Sequence, residues 1–105
     1  MAVEPSAQTL NDYQVLIKRL VIERGFEKET VAEVFMLFLE EVGEFAKATR
    51  KITGLKVAEE SKVHDLHEEA ADVFWLLIDL CNRLGVDLTK AFEEKERKNQ
   101  NRTWA

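Results

Sequence analysis

The sequence predicts an all-α fold, a four-helix antiparallel bundle assembled as a homo-oligomer, and three observations carry that prediction. Apolar residues recur at three- and four-residue steps along most of the chain, which is the spacing of a helix face. Only 4 Gly and 1 Pro punctuate 105 residues, too few for the turns of a multi-stranded β fold. Hydrophobic residues make up 46%, more than a disordered chain carries and enough for one core. A chain this short buries a modest core, so self-association is expected. No repeat, low-complexity segment or boundary divides it, and residues 1–105 read as one helical domain.

The first helix starts near Thr9, with Leu10, Tyr13, Ile17, Leu20 and Val21 on one face, and Gly25 stops it. Thr30 followed by Glu33 forms a capping-box pattern that opens a second helix running to about Lys51. Val34, Phe35, Leu37, Phe38, Val42 and Phe45 make that helix apolar on more than one side, which predicts a central position. Gly54 and Leu55 to Ser61 form the longest connection, polar through Lys56, Glu59, Glu60 and Lys62. A third helix is expected from about Lys62 to Leu84 with Gly85 behind it, and a fourth, capped by Asp87, from Leu88 to Asn99. Short links after Gly25 and Gly85 favour antiparallel neighbours.

Charge narrows the function. With 20 acidic against 15 basic residues the net charge is -5, which argues against a nucleic-acid backbone or an anionic membrane as main partner. No apolar run approaches the roughly 20 residues that span a bilayer. The start MAVEPSAQTLNDYQ lacks a basic-then-apolar signal pattern, so a cytoplasmic location is expected. Cys81, the one cysteine, sits in an apolar stretch and reads as a core residue rather than a nucleophile.

Four acids stand where apolar residues belong. Glu41 and Glu44 share a face of helix two, in a row that runs from Leu37 to Ala48. Glu69 and Asp72 repeat the arrangement on helix three beside Leu66, Val73 and Leu76. Acids serving only solubility would lie on the polar face, where Glu23 and Glu33 are expected. Packing the two rows together gathers four carboxylates, costly through desolvation and repulsion unless a cation joins them. Hard oxygen donors suit Mg²⁺ or Mn²⁺. The competing account is a solvated seam in which these acids pair with Lys47, Arg50 and Lys62.

Other chemistries fit less well. Neither histidine has Glu three residues before it, as a ferritin-like di-iron bundle requires. His64 and His67 are three apart near the acids, and a helix-surface pair describes them better than a zinc site. Lys95, Asn99 and Arg102 step by four and three along the last helix and could grip a polyphosphate, although basic residues at a helix end also complement the dipole. Trp75 and Trp104 could stack on a base; for Trp75, packing is the better account.

Glu40-Glu41-Val42-Gly43-Glu44, followed after residues 45–68 by Glu69-Ala70-Ala71-Asp72, resembles the EExxE…ExxD pattern of MazG-like nucleotide pyrophosphohydrolases. The likeness continues through WLLIDLCNRLGVDLTKAFEEKERKNQNRTW and covers about residues 34–104. It implies a bundle of the all-α NTP pyrophosphohydrolase type that converts an NTP or dNTP to its monophosphate and pyrophosphate. By position, the resemblance makes Glu41, Glu44, Glu69 and Asp72 ligands of Mg²⁺ (or Mn²⁺). It gives Glu40 a role in orienting or deprotonating water, with Glu41 beside it, and makes Lys95, Asn99 and Arg102 substrate contacts. It also implies a homodimer or a dimer-of-dimers tetramer, and a role in nucleotide-pool house-cleaning. Two alternatives stand beside this reading: a non-catalytic helical interaction module, and a regulatory nucleotide binder that turns over slowly.

Overall fold

The structure, a computed structural model, describes residues 7–54 and 65–104, whose regular elements are all helical, with no strand among them. In chain order they form α1 (Leu10–Glu23), a short 3₁₀ turn (Phe26–Lys28), α2 (Val31–Ile52), α3 (Leu66–Leu84) and α4 (Leu88–Gln100). None of these helices is long and apolar enough to cross a membrane.

Local chemistry sets the boundaries. Thr9 and Thr30 close capping boxes with Asp12 and Glu33, so side chains satisfy backbone N–H groups that a helix start leaves without partners. Asp65 and Asp87 accept from the backbone N–H of Glu68 and Lys90 and start α3 and α4. Gly85 ends α3 in the left-handed region at φ 73°, where a side chain would be strained. The expected beginning of the third helix at Lys62, most of the connection before it and His64 lie outside the described residues.

α3, not α2, is the central helix, because α3 packs against both α1 and α2. Both neighbours run antiparallel to it. Arg83 near the end of α3 bonds to Phe26 and Glu29 just before α2, whereas Glu69 near its start meets Glu41 halfway along α2. On the other side Gln14 of α1 bonds to Asn82, while Arg24 at the far end of α1 lies by Trp75. Ile17, Val21 and Ile78 form the buried centre, with Phe74, Trp75 and Leu88 packed on it.

Among the described residues the apolar second face of α2 thus has no partner. Phe35 is 47% and Met36 60% exposed, with Leu37, Leu39 and Val42 also open. Only Val34 and Ala48 of this helix are buried. The radius of gyration, 16.5 Å, exceeds the roughly 13 Å of a compact chain of this size.

α4 joins the rest through its first turn. Gln14 donates to Asn82 Oδ1 (3.0 Å) and to the Val86 carbonyl (2.9 Å), and its own Oε1 accepts from Leu88 N–H (3.1 Å). One amide therefore ties α1 to the α3–α4 corner. Beyond it no residue of α4 is buried.

Candidate active site

The seam between α2 and α3 explains where the acids go. The residues of α2 that lose solvent exposure are Val34, Phe38, Glu41, Glu44, Phe45 and Ala48. Five of them, Val34, Phe38, Glu41, Phe45 and Ala48, alternate by four and three, a helix-packing stripe with a carboxylate at its middle. On α3 the matching stripe is Leu66, Glu69, Val73, Leu76 and Leu80, with Asp72 at its edge. The row expected to pass through Leu37 instead passes through Phe38, one residue further round the helix, and Leu37 is exposed.

Across this seam Glu41, Glu69 and Asp72 each bring a carboxylate oxygen within 4.8 Å of the others. Glu41 and Glu69 are half-buried and Asp72 is exposed, so the group opens at one side. Burial pushes the Glu41 carboxyl above its ordinary range. The charges of Asp72 and Glu69, a hydrogen bond with Glu69 and the charge of Glu44 push it the same way. Glu44 is close enough to act on Glu41, yet its oxygens lie outside the 4.8 Å group, and Lys47 approaches it at 4.0 Å. Glu40 points to the exposed side of α2.

These residues fit a divalent cation. All the donors are hard oxygens, and opposite ligands of an ion with bonds near 2.1 Å are about 4.2 Å apart, so small side-chain rotations close the group around one. The charge balance also fits, because the acids hold Glu41 in a state that a cation would relieve.

Glu41 and Asp72 also line an open pocket of about 270 Å³ with Arg24, Phe26, Trp75 and Leu76. Arg24 and Phe26 were not legible as site residues. Arg24 caps the end of α1 beside Trp75, and Phe26 reaches the pocket because Gly25, at φ 75°, turns the chain sharply after α1. The sequence signal was this helix-stopping glycine, and it identifies a turn without saying what the turn presents. The Phe26 and Trp75 rings meet edge to face at 6.4 Å.

The residues of α4 lie elsewhere. Neither Lys95, Asn99 nor Arg102 lines the pocket, and the packing of α4 is with α1. Lys95 and Arg102 are exposed. The chain after α4 curls back on its end: Trp104 Nε1 donates to the Asn99 carbonyl at 3.2 Å, and the Arg102 guanidinium lies 4.5 Å from the Trp104 ring centre. His67 is exposed on the first turn of α3.

Comparison with curated proteins and with solved structures returns no match. The family model of the MazG nucleotide pyrophosphohydrolase domain matches residues 26–104, a segment that holds α2, α3, α4 and all the clustered acids. The chain belongs to the MazG nucleotide pyrophosphohydrolase family.

Proposed function

We propose that the protein is a Mg²⁺-dependent pyrophosphohydrolase that converts a nucleoside triphosphate, ribo or deoxy, to its monophosphate and pyrophosphate in nucleotide-pool house-cleaning. The observation that carries this reading is the convergence of Glu41, Glu69 and Asp72 at the middle of an otherwise apolar seam. Like charges gathered in a half-buried seam are costly, and a family of pyrophosphohydrolases supplies the reason to retain them.

Glu41, Glu69 and Asp72 would hold the ion, with Glu44 beside them as a further ligand and Mn²⁺ as an alternative metal. When bound, the ion neutralises the phosphate oxygens and polarises the phosphorus under attack. Glu40 and Glu41 orient the attacking water and take its proton as the bridging P–O bond between the monophosphate and the pyrophosphate breaks. Lys95, Asn99 and Arg102, which lie outside the pocket of a single chain, are proposed as further phosphate contacts, a role their cationic and amide groups suit. The open apolar face of α2 supports a homodimer or dimer-of-dimers, since a second copy would cover Phe35, Met36 and Leu39.

The test is a panel of the eight common NTPs and dNTPs with Mg²⁺ and pyrophosphate detection, beside sedimentation of the same sample. The expected result is pyrophosphate from at least one nucleotide, abolished by EDTA, from an oligomer. A flat panel sinks the enzymatic reading.

A further inference from the structure

We infer that Arg24 is a phosphate contact of the substrate site, an inference that rests on the reading of Glu41, Glu69 and Asp72 as the metal centre. Arg24 precedes the segment matched by the family, so membership assigns it nothing. Among the described residues it is the one cationic side chain lining the pocket that Glu41 and Asp72 open on. Among the described residues no carboxylate lies within ion-pair distance of its guanidinium. Its close partner is the ring of Trp75, whose centre is 6.0 Å away.

A chain of packed groups sets that position. Arg83 is anchored by Asp79 at 2.9 Å and donates to the carbonyl of Phe26 at 2.8 Å. The Phe26 ring meets the Trp75 ring edge to face, and Trp75 packs on the buried Ile17, Val21 and Ile78 cluster. Trp75 is therefore a platform for Arg24, engaged by the core, by Phe26 and by the guanidinium. These contacts leave it poorly placed to stack on a nucleobase. The pocket's size agrees, since about 270 Å³ falls below the roughly 300 Å³ at which small-molecule sites begin, and so holds part of a nucleotide. A planar guanidinium beside carboxylates that hold a cation suits one group best, a metal-bound polyphosphate, whose oxygens it can bind in pairs. The resemblance implies cationic contacts at Lys95 and Arg102; Arg24 adds one at the end of α1.

The experiment compares wild type with Arg24→Gln and Arg24→Lys, using inorganic tripolyphosphate in Mg²⁺ by calorimetry and kcat/KM across the eight nucleotides. Arg24 is exposed, so melting temperatures should stay within a degree or two and exclude misfolding as the cause. Loss of a charge-assisted contact predicts roughly ten- to hundredfold weaker tripolyphosphate binding in Arg24→Gln, with partial retention in Arg24→Lys. The same factor should lower kcat/KM for every base. Binding by Arg24→Gln within twofold of wild type overturns the assignment, as does a loss confined to one base or a wild type that does not bind tripolyphosphate. Arg24-dependent tripolyphosphate binding without nucleotide turnover upholds the contact and refutes the enzymatic reading alone.

Discussion

In the C-terminal half of α3 the carboxylate of Asp79 is buried against the guanidinium of Arg83, whereas in the N-terminal half Glu69 and Asp72 converge on another acid, Glu41 of α2. Both arrangements place charge in a helix seam. The first is complete within the chain: Asp79 is 3% exposed, and the two terminal nitrogens of Arg83 donate to the carbonyls of Glu29 and Phe26. The second adds like charge to like charge and pushes Glu41 towards its protonated form. A buried acid with a cation beside it is structural. Acids gathered on one another make sense with a cation from solution.

The strongest way to break this contrast is to remove Asp79. Its loss would leave the Arg83 guanidinium buried without its counter-charge and loosen the turn that carries Phe26. Asp79→Ala should therefore cost about 3–5 kcal/mol in urea unfolding, the usual penalty for breaking a buried pair. A cost below about 1 kcal/mol would mean that the pair is dispensable and the contrast false. Asp72→Asn and Glu41→Gln should behave in the opposite way. Each relieves repulsion, so metal-free stability should be unchanged or higher. Pyrophosphate release should nevertheless fall by about a hundredfold or more, since even residues behind a metal's ligands cost ten- to hundredfold. An active Asp72→Asn variant would remove these acids from the catalytic account.

The fold was legible wherever a rule is local. Thr9, Thr30, Asp87, Gly25 and Gly85 mark helix ends in the sequence and do so in the structure, because a cap is decided within about four residues. The convergence of acids was legible in part: three-residue spacing put Glu69 and Asp72 together opposite Glu41, whereas Glu44, placed with Glu41 by the same spacing, lies outside the group. Which helix would be central was not. The outer face of α2 is apolar, and a single sequence cannot distinguish a face covered by its own chain from one awaiting another. Arg24 was illegible for a related reason: it shares a pocket with Glu41 because α1 packs antiparallel on α3 and ends beside Trp75, a contact between residues more than fifty apart.

A smaller effect comes from the cation itself. A ligand that binds the folded acids and not the unfolded chain raises stability by RT ln(1 + [L]/Kd), about 1.4 kcal/mol at ten times Kd. For a domain of this size that is roughly 5–10 °C in melting temperature. Mg²⁺ should produce the shift in wild type and Asp79→Asn but not in Asp72→Asn. A shift of equal size in Asp72→Asn would place the cation elsewhere.

The smallest effect sharpens the comparison with a third kind of acid. Asp12, Glu33 and Asp87 cap helices, and hydrogen bonds from backbone N–H groups lower their pKa values, the reverse of what neighbouring acids do to Glu41. A carboxyl whose pKa is lower in the folded state contributes stability above its unfolded value, near 4, and loses it as pH falls through the folded value. Metal-free protein should accordingly lose urea resistance below about pH 4 as the caps protonate. Asp87→Asn isolates one of them, because Asn caps a helix as well as Asp does and does not titrate. The variant should match wild type at pH 7 and lose less stability between pH 4 and pH 2.5. An identical acid limb in the two proteins would show that Asp87 is not held in its charged form by the start of α4, and that donors from the backbone and charges from other acids do not separate the acids of this chain as argued.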